Sequence, residues 1–301
     1  MPQVKANGIT LEYESFGPQD RETILLIMGL GAQLTMWPTE LCDELVKRGY
    51  RVIRYDNRDV GLSHKFDEHG MPDMAAIFGA LMAGQPAQSP YSLDDMAADA
   101  VGLLDALGVK QAHIAGASMG GMIAQLVAAN HPERTLSLTS IMSTTGNPEV
   151  PQGKPEAMAV LMTPAPEGDI PAAIERGILA WNTIGSPGYR TDDETLRQWV
   201  TRDVHRSLYP VGTARQMAAI VANGDRREKL KNIKVPAVVL HGVDDPLVPV
   251  EGGRDTAKSI PGAELREVPG MGHDFPLALV DTFADAIEAA AKRAAKAQAA
   301  E

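Results

Sequence analysis

One cysteine, Cys42, occurs among 301 residues. A lone thiol excludes an internal disulfide, and its place in an apolar-periodic stretch reads as a small buried side chain. Cysteine pairs and an H-E-x-x-H spacing are both missing, and the seven histidines are scattered, so the sequence predicts no metal site. Positive charge is scarce: 28 Lys and Arg against 39 Asp and Glu give a formal net charge of −11. That balance argues against a nucleic-acid partner, which needs clustered cations. The one short basic run, Arg226 to Lys231, reads as a solvated helix face. No run approaches the ~18 apolar residues of a membrane span, and the N-terminus shows no basic-then-apolar signal segment. A cytoplasmic setting with no membrane partner is the expectation. Aromatic residues make up only 5%, yet the 44% hydrophobic content is enough to bury a full core.

What is present is an alternation of strand and helix patterns. Ile9 to Gly17 alternates partly with period two and ends at Gly-Pro, as an edge or hairpin strand does. Thr23 to Met28 is a short continuous apolar run, the pattern of a strand covered on both faces. A helical stretch stopping at Gly49 leads into a strand over Arg51 to Asp56. Tyr91 to Gly108 reads as a helix with Ser92 and Asp95 as an approximate capping box and Gly108 as its end. Further strands are predicted at Ala112 to Gly116, Leu136 to Ser143, Val235 to Gly242 and Ala263 to Gly270. The Ala/Lys/Glu-rich tail has high helix propensity but few apolar anchors, so its end is expected to fray. Such alternation predicts a parallel sheet wrapped on both sides by helices.

Two insertions interrupt the rhythm. Residues 63–90 are rich in Met, Gly and Pro around one short helical signal. Residues 144–234 carry helical patterns broken by Pro and Gly, too long for a simple crossover. The expected organisation is a core of residues 1–143 and 235–301 with an inserted helical cap over 144–234. Methionines concentrate in both insertions (Met71, Met74, Met82, Met158, Met162, Met217). Core filling is the default for Met, and lining of an adaptable apolar pocket is the second reading. Met82, Met162 and Trp181 are the pocket candidates, with Trp199 available to the same wall. The cap arginines, Arg176, Arg190, Arg197, Arg202, Arg206 and Arg215, are separated in sequence and suggest no clamp for a dianionic substrate.

Chemistry concentrates at Gly116-Ala117-Ser118-Met119-Gly120-Gly121, a G-x-S-x-G lying between strand and helix. In such a turn the central residue takes strained angles, and the residues two before and two after it approach too closely for side chains. Gly116 and Gly120 fill those places. The strain would hold Ser118 Oγ above the sheet end, beside a helix N-terminus that favours a developing oxyanion. A hydroxyl needs a base, and His273 follows the last strand. An acid follows the preceding strand in the order Ser, Asp, His, where Asp244 and Asp245 compete for the part of orienting the imidazole. His241 reads as packing, and His64, His69, His113, His131 and His205 as surface or satisfied core.

The segments "AGASMGG", "YDNRDVGLS", "LHGVDDPLVP" and "PGMGH" together resemble the α/β-hydrolase superfamily of the capped esterase type, from about Val4 to the last helix. Aclacinomycin methylesterase-like hydrolases share the Met-Gly after the third strand and the Tyr-Asp-x-Arg-Asp pattern. The resemblance implies a mostly parallel eight-stranded sheet flanked by helices, with an inserted helical cap. It selects Asp245 through the H-G-x-x-D segment and implies oxyanion donors at the backbone N–H of Leu30 and Met119. Two departures stand out: Met28-Gly29 replaces the usual His-Gly, and Asp59 replaces a Gly in "DNRDVGLS". Asp56 and Arg58 are read as loop braces. The implied function is a serine hydrolase of carboxylic esters with apolar, small to medium groups, working without cofactor on a small-molecule substrate. The alternatives are a C–C bond hydrolase of ring-cleavage products, a perhydrolase, and a ligand-binding receptor on the same fold.

Overall fold

The computed structural model describes residues 2–166 and 168–298. Strands β1 (Gln3–Ala6) and β2 (Ile9–Phe16) form an antiparallel hairpin turning on Asn7 and Gly8, whose φ of 47° and 80° suit a two-residue turn. The chain continues through β3 (Thr23–Ile27), α1 (Thr39–Lys47), β4 (Arg51–Tyr55), α2 (Met74–Met82), α3 (Leu93–Ala106), β5 (Ala112–Ala117), α4 (Met119–Asn130) and β6 (Thr135–Ile141). Helices α5 (Pro155–Met162), α6 (Ile170–Ile184), α7 (Asp193–Arg206), α8 (Pro210–Asn223) and α9 (Arg227–Leu230) form the inserted helical region. Then come β7 (Ala237–Gly242), α10 (Val250–Ser259), β8 (Glu264–Val268) and α11 (Val280–Gln298). The tail whose end was expected to fray finishes in residues 299–301, outside the described residues.

The eight strands form one sheet in the order β1-β2-β4-β3-β5-β6-β7-β8. The β1–β2 and β2–β4 pairs are antiparallel and all others parallel. Every residue of β3, β4, β5 and β7 is buried, which is why β3 reads as a continuous apolar run rather than an alternation. One face packs on α3 and α4 through Leu103, Leu104, Ile123 and Leu126. The other packs on α1 and α11 through Leu41, Leu45, Phe283 and Ile287. The α3 capping box forms as the sequence suggested: Asp95 N–H donates to Ser92 Oγ at 3.1 Å and Ser92 N–H to Asp95 Oδ2 at 2.8 Å.

Polar ties bind the inserted helices to the sheet. Arg215 on α8 meets Asp59 at 2.8 Å, with both side chains fully buried. Arg206 on α7 meets Asp56 at 2.7 Å. Arg226 corrects one expectation: it is buried, not part of a solvated face. It donates to the carbonyls of Thr144 and Gly224, so it ties the inserted region's entrance to its exit. Its neighbours Lys229 and Lys231 do lie exposed. Among the described residues no helix is long and apolar enough to cross a membrane.

Candidate active site

Ser118 is the residue between β5 and α4, at φ 56° and ψ −122°, a backbone conformation that L-residues rarely adopt. Close packing enforces it. A Cβ on Gly116 would lie 2.0 Å from Gly120 O, and one on Gly120 would lie 2.0 Å from Ile27 O. Any side chain at either position would push helix away from strand. The Ser118 N–H donates to Ile141 O at 3.0 Å, and its carbonyl accepts from Gly121 N–H and from the Ser143 hydroxyl, at 2.9 and 2.7 Å. Every backbone group of the residue is thereby committed, while its Oγ has no hydrogen-bond partner among the described residues.

Asp245 and His273 come together from the loops after β7 and β8. His273 Nδ1 lies 2.7 Å from Asp245 Oδ2, and both residues are buried. Asp245 Oδ1 accepts the N–H groups of Leu247 and Val248, both at 2.9 Å, which fixes the carboxylate's plane. Asp244 turns away and accepts the Gly270 N–H at 2.7 Å. Of the two adjacent carboxylates, then, the one that the resemblance selected touches the imidazole. His241 packs beneath them. Its Nε2 donates to Val248 O at 2.8 Å and stands 3.6 Å from Asp245, and burial pulls its pKa below the ordinary imidazole value.

A cavity of about 750 Å³ opens over this arrangement, with Ser118 and His273 both in its wall. Leu30 lines it too, and its backbone N–H has no acceptor among the described residues. Met119 keeps its side chain in the core, but as the first residue of α4 it has an N–H without an intrahelical acceptor. Inserted helices close the cavity from above, and the loop after β4 closes one side.

Of the pocket candidates, Met162 and Trp181 line this cavity and Met82 does not. Met82 is 91% exposed. Met71, just before α2, and Met74, its first residue, line the cavity, and Met82 lies about 12 Å further along the helix axis. Met217 also lines the cavity, whereas Met158 packs against a separate small cluster and Trp199 lines a neighbouring pocket. Sequence reasoning gave no role to Asp274, beside His273 in the same wall. Its carboxyl accepts the Ser186 N–H and hydroxyl, at 3.0 and 2.5 Å. Burial outweighs those bonds and raises its pKa. Asp56 and Arg58 act as braces, as read: Asp56 accepts the N–H groups of Leu34 and Leu62, and Arg58 pairs with buried Asp99 at 2.6 Å.

A strained serine on a strand-to-helix turn and a carboxylate-bound imidazole, both in the wall of one cavity, define a class. Residues 22–166 match the family described as alpha/beta hydrolase fold. Rhodomycin D methylesterase DnrP of Streptomyces peucetius is 30% identical, over 93% of this chain and 94% of its own. The chain belongs to the α/β-hydrolase superfamily. It is also similar to 3-oxoadipate enol-lactonase 2 of Acinetobacter baylyi, at 26% identity over 96% of this chain and 95% of that one. Among solved structures, the enol-lactonase from Burkholderia xenovorans LB400 superimposes with a TM-score of 0.69 and 28% identity, covering 96% of this chain and 99% of the other.

Proposed function

We propose that the protein is a serine hydrolase of carboxylic esters whose acyl or alcohol part is apolar and small to medium in size. The observation that carries this reading is Ser118 in its strained turn, sharing one cavity wall with an imidazole already bonded to Asp245. In the mechanism, Ser118 Oγ attacks the ester carbonyl while His273 Nε2 takes its proton. Asp245 holds the Nδ1–H tautomer and stabilises the imidazolium. The N–H groups of Leu30 and Met119 hold the oxyanion, aided by the positive end of α4. Collapse expels the alcohol, which takes the proton from His273, and water then releases the acyl group by the same steps. No cofactor enters. Its similarity to a methylesterase and to enol-lactonases supports the bond class.

Helices of the 144–234 insertion, read as a cap, would exclude water and admit an apolar group. The test is a panel of aryl esters of graded acyl length, run beside a ring-cleavage dienoate on the same preparation. The ester should win in kcat/KM. A dienoate preferred by ten-fold or more would move the reading to C–C bond hydrolysis. Binding without any turnover would move it to a receptor.

A further inference from the structure

Charge within the cavity wall is sparse, and most of it is spoken for. Asp203 accepts the Thr35 hydroxyl and pairs with Arg202, and Asp274 accepts from Ser186. Elsewhere on the inserted helices, Arg197 pairs with Glu175, Arg206 with Asp56 and Arg215 with Asp59. Arg176 differs. It lines the cavity, is half-buried, and has no carboxylate partner among the described residues. Its Nη2 donates to the carbonyls of Val160 and Thr163 at the end of α5, which anchors the side chain. Among the described residues Nε and Nη1 have no acceptor. Burial lowers its pKa, and no acid among the described residues pairs with it. A partly buried guanidinium with no counter-charge among the described residues is costly, and an anionic ligand would relieve that cost.

Helix α6 gives the distance. Its last residue, Ile184, accepts the His273 N–H at 2.8 Å, so this end of the helix sits over the reacting groups. Arg176 lies eight residues earlier, which is about 12 Å along the axis. Ala180, Trp181 and Met162 line the wall as well, an apolar lining shared with the cation.

We propose that Arg176 forms an anion subsite at the far end of the cavity, and that the preferred esters carry a carboxylate separated from the scissile bond by an extended apolar segment. This rests on the ester-hydrolase reading and narrows its substrate class. A single cation of this kind is compatible with the expectation that the separated cap arginines form no clamp for a dianionic substrate.

The experiment uses p-nitrophenyl hemi-esters of dicarboxylic acids from succinate to sebacate, each beside the matching ester with a terminal methyl ester in place of the carboxylate. The wild type should favour the carboxylate form by about ten-fold or more at the longer lengths, mostly through KM, and not at succinate. Arg176→Met should abolish that ratio and Arg176→Lys should restore part of it. The neutral series reports separately on folding and on the catalytic groups. No carboxylate preference at any length, or a preference that survives Arg176→Met, would overturn the subsite. Failure of every ester, neutral ones included, would instead overturn the parent reading.

Discussion

At the scale of single residues, Asp244 and Asp245 form the sharpest contrast. They are adjacent and chemically identical, yet only Asp245 touches His273, while Asp244 accepts the Gly270 N–H. Asp245→Asn should leave the fold intact but present the wrong imidazole tautomer, cutting kcat by about 10⁴-fold. Asp244→Asn keeps a carbonyl oxygen for Gly270 and should stay within a few-fold of wild type. Steady-state kinetics with a melting temperature for each variant checks both, and the opposite ranking would refute the assignment. Under the proposed mechanism a neutral imidazole accepts the serine proton, so ester turnover should also fall on acidification while the protein remains folded. A rate unchanged in mild acid would contradict a histidine base.

Between elements, the departure from the superfamily's loop pattern at Asp59 has a structural answer. Asp59 takes φ 66° and accepts from Arg215 on α8, the Tyr91 hydroxyl and the Phe66 N–H. Burial pushes its carboxyl up, but those bonds outweigh it and hold the pKa below the usual value. Asp59→Asn leaves Arg215 buried without a counter-charge, which should cost about 3 kcal/mol or more in denaturant unfolding. The exposed pair of Arg197 with Glu175 is the control, and its loss should cost under about 1 kcal/mol. Equal losses would mean that the buried pair is not what ties α8 to the sheet.

Much of this level could be read in the sequence. Seven strands fall within about two residues of their sequence bounds, because turn residues set them off and the buried β3 and β7 are rich in apolar residues. The exception is β1: Gln3–Ala6 has too few apolar residues for a period, although Asn7-Gly8 was a legible hairpin signal. The elbow glycines, the α3 capping box and the Ser, Asp, His order are local patterns and were visible. What escaped depends on which way a helix faces after packing. Met82 and Arg176 are each one residue on a helix, and neither periodicity nor composition says which helix end overhangs the cavity.

For the molecule as a whole, acid should be destabilising through buried histidines. Burial lowers the pKa of His113 and of His241. A histidine that protonates less readily folded than unfolded contributes full stability above the unfolded value of about 6.5 and loses it as pH falls toward the folded one. Asp99 and Asp274, which burial raises, work in the opposite sense. The melting temperature should therefore decline below about pH 6.5. The His113→Asn variant isolates one contribution: His113 meets Ser137 and Glu22, and its replacement should flatten the decline. A parallel curve for wild type and variant would show that His113 is not titrating as described.

The central claim, that Ser118 becomes acylated, is tested most directly by covalent labelling. The protein is treated with a p-nitrophenyl organophosphonate, digested, and its peptides mapped by mass spectrometry while residual esterase activity is followed. A single adduct on Ser118, growing in proportion to lost activity and absent from Ser118→Ala, is the predicted result. An adduct on another residue that tracks the loss, or undiminished ester turnover in Ser118→Ala, would contradict it.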